Sequence, residues 1–73
     1  MPRPEYIARV HAALYDLRTS GQHHESEMLR KYKESLAEAA QIAGCSETAL
    51  KQALVQDYKQ WLKQERLPRI DLH

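Results

Sequence analysis

The chain has 73 residues, 42% of them hydrophobic and 29% charged, which is the composition of one small globular domain. Eleven basic and 10 acidic residues leave a net charge of +1, which argues against a strongly electrostatic nucleic-acid binder while leaving room for a local basic patch. Cys45 is the single cysteine, so no internal disulfide is possible, and a reducing, cytoplasmic setting is expected. No apolar run follows Met1-Pro2-Arg3-Pro4, and nothing approaches the ~18 apolar residues of a membrane span, so neither a signal peptide nor a membrane partner is expected. A domain this short buries roughly 60% of its unfolded surface and is marginal by itself.

Pro4 suits the first turn of a helix, where its missing N–H costs nothing. Ile7, Val10, Leu14 and Leu17 then recur at helical spacing, with Tyr6 and Ala13 widening the stripe, until Thr19-Ser20-Gly21 closes the helix. The pattern predicts a first helix over about 4–18. No glycine or proline follows until Gly44, and the Ala-, Glu-, Lys- and Leu-rich segment has high helix propensity. Leu29, Tyr32, Leu36, Ala39, Ala40 and Ala43 share one face, predicting a second helix over about 23–43 with no break demanded at 33–35.

Ser46 is a good N-cap, and Glu47 sets negative charge at the positive end of the next helix. Leu50, Ala53, Leu54, Tyr58, Trp61 and Leu62 run at i, i+3, i+4 spacing until Pro68, predicting a third helix over about 47–66 and a tail over 67–73. The expected fold is therefore all-α: one domain over 1–73, a three-helix bundle with a helix-turn-helix-like corner at Gly44. Leu14, Leu36, Leu50, Leu54 and Trp61 are its expected core.

The stretch Ala40-Gln41-Ile42-Ala43-Gly44-Cys45-Ser46 followed by Leu50 and Leu54 carries most of the functional information. A small residue four before the glycine lets two helices approach, the glycine takes a backbone angle that side chains resist, and an aliphatic residue six after it locks the helices together. Over about 36–58 the pattern resembles the C-terminal helix-turn-helix of the Fis and NtrC-type regulators. That resemblance implies a small DNA-binding regulator in which Glu47, Thr48, Lys51 and Gln52 approach bases in the major groove. The sequence departs from the family where Glu47 and Thr48 stand in place of an early basic residue, since arginine is the commonest specific base reader.

Arg30, Lys31 and Lys33, around Tyr32, form the densest basic run and are the expected phosphate contacts. The bland reading of the same run is a solvated helix face, given Glu27 and Glu34 beside it. His23 and His24 point about 100° apart on a helix and cannot easily share an ion, so no metal site is expected. Cys45 reads as a small buried residue in a turn.

A core this small leaves little room for a pocket of the usual ~300 Å³ or more. No catalytic arrangement is legible, and neither an enzyme, a cofactor nor a small-molecule substrate is expected. The alternative function is a protein-interaction module using the apolar face of the third helix and the tail: Val55, Tyr58, Leu62, Leu67, Ile70 and Leu72. The partners implied are thus double-stranded DNA, with a homodimer supplying two reading heads, or another protein.

Overall fold

The computed structural model describes residues 3–21 and 24–65. Three helices follow in order: α1 (Glu5–Thr19), α2 (Glu25–Ala43) and α3 (Glu47–Gln64). No strand occurs among the described residues. This is an all-α three-helix bundle, and no helix among the described residues is long and apolar enough to cross a membrane.

Each helix begins and ends for a local reason. Pro4 is the N-cap of α1, one place before the expected first turn, and its carbonyl accepts from the Ile7 and Ala8 amides. Gly21, beyond the end of α1, has φ +72°, an angle that favours glycine. α2 packs along α1, and two packed helices that follow one another this closely in sequence run antiparallel. α2 starts two residues later than its sequence pattern suggests and then runs unbroken through 33–35. α3 ends at Gln64, with Glu65 as its C-cap, two residues short of the expected end.

All three helices touch one another: α2 packs along α1, and α3 meets α2 near the corner and α1 farther along. Ile7 and Val10 meet Tyr32, Leu36, Ala39 and Ala40, and Leu50 joins this aliphatic core from the start of α3. A second, aromatic cluster lies between α1 and the C-terminal half of α3. There the His11 ring sits 5.5 Å from Tyr58 and 5.7 Å from Trp61, and Tyr15 meets Trp61 edge-on at 6.3 Å.

Several expected core positions are only partly covered. Leu14 and Leu54 are half-buried at the margin of the aliphatic cluster, and Leu29 and Ala43 are exposed. A stripe seen in sequence is buried only where another helix lies over it, and Leu29 and Ala43 stand near opposite ends of α2. Cys45 is exposed, against expectation, because it lies in the turn outside both packed faces.

Candidate functional site

The corner between α2 and α3 is built from local hydrogen bonds. Gly44 has φ +73° and ψ +34°, left-handed backbone that an L side chain resists. In this conformation the Cys45 amide donates to the Ala40 carbonyl at 3.1 Å, and the Gly44 amide to Gln41 at 3.3 Å. This is the Schellman pattern, which satisfies carbonyls the helix end would otherwise leave unpaired. Two residues later the Ser46 hydroxyl oxygen accepts from the Ala49 amide at 3.1 Å and opens α3. Ala40 and Leu50 are both buried against each other's helices, so the turn sets where α3 leaves α2.

Past the corner, α3 divides into two faces. Leu50, Leu54, Asp57, Tyr58 and Trp61 turn inward. At about 100° per residue, Thr48, Gln52, Val55, Gln56, Lys59 and Lys63 fall on the opposite side, with Lys51 at its margin a quarter turn from Leu50, and all are exposed. No carboxylate belongs to that outer set: Glu47 sits toward the inner side in the first turn, and Asp57 is engaged within the molecule. Among the described residues, none of the three lysines has a salt-bridge partner. Gln56, Lys59 and Lys63 escaped the sequence reading, which followed the inward stripe; taking its complement would have found them.

The expected phosphate contacts fare differently. Arg30, Lys31 and Lys33 are all exposed on α2, but consecutive helical residues diverge by about 100°, so they do not form one patch. Lys31 lines a groove between α1 and α2 with Arg9 and lies 3.9 Å from Glu27. Of the expected protein-contact residues, Val55 is 50% exposed, Leu62 is half-buried and Tyr58 is buried. Tyr58 faces inward because its ring stacks on Trp61 at 5.9 Å and lies beneath the Arg18 guanidinium at 5.3 Å. Leu67, Ile70 and Leu72 lie outside the described residues.

A polar network that sequence spacing does not reveal ties α3 to the start of the chain. Arg3 donates from Nε and Nη2 to the two Asp57 carboxylate oxygens at 2.8 and 2.9 Å, and from Nη1 to Gln64 at 2.7 Å. The His11 Nε2 lies 2.6 Å from Asp57 Oδ2. An ionised carboxylate only accepts, so the hydrogen is on Nε2. His11 is 1% exposed, and its ring is fully enclosed by the aromatic cluster.

The Arg3 hydrogen bonds, with those of His11, hold the Asp57 carboxyl down at about 2, and the Arg3 guanidinium is pushed up in turn. Burial raises the Tyr32 and Tyr58 phenols, partly offset by the Arg18 charge. No buried side-chain polar atom among the described residues lacks a partner, as a folded interior requires.

Beside this network opens a polar cleft of about 420 Å³, lined by Arg3, Asp57, Gln60, Trp61 and Gln64 among others. The small core had suggested no space of this size. The cleft forms at the rim, where the residues before α1 meet α3, and not inside the core. Arg3 and Asp57 pair with one another there, and Glu65 is the further charged residue of the lining. Among the described residues, no three His, Cys, Asp or Glu side chains converge as a metal set. Comparison with known proteins finds no family, no curated protein and no solved structure that matches this chain.

Proposed function

We propose that this chain is a small DNA-binding protein that presents the outer face of α3 to the duplex. One observation carries the reading. The helix that follows the Gly44 corner has an exposed face of lysines, glutamines and a threonine with no carboxylate among them, although the whole chain is nearly neutral. Lys59 and Lys63 on that face, and Lys51 at its margin, are spaced to meet phosphates, and each contact releases counterions. Gln52 and Gln56 have the amide geometry for bidentate adenine recognition, and Thr48 and Val55 supply contacts to a thymine methyl. Arg30 and Lys33 are secondary contacts in this reading, and Lys31 and Glu47 stand outside it.

The alternative, a protein-docking module, retains Val55 but loses Tyr58 to the core, which leaves little continuous apolar surface on α3. Fluorescence anisotropy with a labelled duplex distinguishes the two. Wild type binds at low salt, and reversing Lys51, Lys59 and Lys63 to Glu abolishes binding. Neutralising all three to Gln flattens the slope of log K against log salt by about 3, at roughly 0.9 per phosphate contact. Absence of binding at low salt, or binding indifferent to the charge reversal, rules the proposal out and leaves protein docking.

A further inference from the structure

The groove between α1 and α2, about 280 Å³ and open to solvent, has an unusual arrangement of charge. α1 contributes Arg9, Ala12, Ala13 and Asp16 at i, i+3, i+4 and i+7, so a cation and an anion flank two small residues. α2 contributes Lys31 and Glu34 to the same groove. Because the helices are antiparallel, Arg9 lies toward the Glu34 end and Asp16 toward the Lys31 end. The four charges therefore form a checkerboard, positive and negative alternating both along each helix and across the groove.

Such a pattern has a specific symmetry. A two-fold axis lying in the plane of the groove, either along the helices or across them, exchanges every positive corner with a negative one. Against these four lining charges a single-signed partner meets as much repulsion as attraction, and Glu5 and Glu27 stand one turn behind Arg9 and Lys31 on the same helices. A second copy of the same surface meets opposite charge at all four corners. The corners are also available. The Asp16 and Glu34 side chains have no ion pair or hydrogen bond among the described residues, while Arg9 and Lys31 hold only exposed intrahelical contacts, at 3.4 and 3.9 Å. On the α1 side Ala12 and Ala13 leave no bulky side chain between the two charges, while α2 adds Met28 and Ser35 to the lining, so a facing helix can approach α1 closely.

We infer that the α1–α2 groove is the isologous contact of a homodimer, with Arg9 pairing Asp16 and Lys31 pairing Glu34 across the two-fold, or Arg9 with Glu34 and Lys31 with Asp16 if the axis runs along the helices. In an isologous contact each pairing occurs twice, as two-fold symmetry demands. α3 packs on the other side of α1, through Ala8, His11 and Tyr15, so dimerisation leaves its outer face uncovered. The inference stands independently of the DNA-binding reading.

Two charge-sorted variants test it by light scattering and sedimentation. Arg9→Glu/Lys31→Glu makes the groove wholly acidic, and Asp16→Lys/Glu34→Lys makes it wholly basic. All four positions are exposed, and far-UV circular dichroism checks that the helices persist. Wild type sediments at twice the chain mass, each variant alone at the monomer mass, and an equimolar mixture returns to the dimer mass. Should a double variant unfold, Arg9→Glu and Asp16→Lys singly serve the same mixing test. A wild type that stays monomeric up to about 1 mM overturns the inference. So do variants as dimeric as wild type, or a mixture that fails to re-form the dimer.

Discussion

Replacing Asp57 with Asn removes one charge and almost no volume, and so isolates what the Arg3–Asp57–His11 network contributes to stability. The Asp57 carboxyl lies at about 2 against an ordinary 3.8, a depression of a little under two pH units. Each unit corresponds to about 1.4 kcal/mol, which gives an upper bound of roughly 2.5 kcal/mol. The Asp57 side chain is 33% exposed, so solvent screening reduces the expected loss to about 1 kcal/mol. In a domain of this size that is a fall in Tm of about 4–8 °C.

The sign of the pH dependence follows from the direction of the shift. A carboxyl depressed in the folded state stabilises fully above its unfolded value and loses that contribution as pH falls toward its folded value. The stability gap between wild type and Asp57→Asn is therefore constant from neutrality down to about pH 5, closes between about pH 4 and pH 2, and vanishes below. Urea denaturation of both proteins across this range measures it, and taking the difference cancels the other carboxylates. Equal stabilities at pH 7, or a gap that persists unchanged at pH 2, refute the assignment of the network as a stabilising contact.

Gly44→Ala is expected to destabilise by about 1 kcal/mol. An added Cβ meets nothing within 4 Å, so the whole cost is the left-handed backbone; a variant as stable as wild type in a thermal melt denies the strained turn. Leu50→Ala removes the side chain by which α3 joins the aliphatic cluster and should cost about 2–5 kcal/mol. Wild-type denaturant midpoints for that variant contradict the packing of α3 on α2. Ser46→Ala deletes the N-cap of α3 and should lower stability by about 1 kcal/mol, again read from the denaturant midpoint, with an unchanged midpoint as the refuting result.

The helices and the corner were legible in the sequence because their causes are local. Pro4, Gly21, Gly44 and Ser46 act through the backbone within a few residues, and the spacing of Ile7 to Leu17 and of Leu50 to Trp61 names an inward face without reference to the rest of the chain. Local spacing also says which side chains point away from that face, and Gln56, Lys59 and Lys63 were recoverable that way. It says nothing about what lies over each stretch of a stripe. Leu14 and Leu54 end at the margin of the core, Leu29 in solvent and Tyr58 beneath Arg18, because the helices meet over only part of their lengths.

The Arg3, His11 and Asp57 side chains lie 46 and 54 positions apart in sequence, and each alone reads as an ordinary polar residue. Their meeting depends on how α3 crosses α1. Backbone conformation is decided over a few residues, whereas burial and pairing of charge are decided by which distant surfaces come together. For this chain, therefore, sequence alone determined the elements and the turn at Gly44, and tertiary packing decided which charges are spent inside and which face outward.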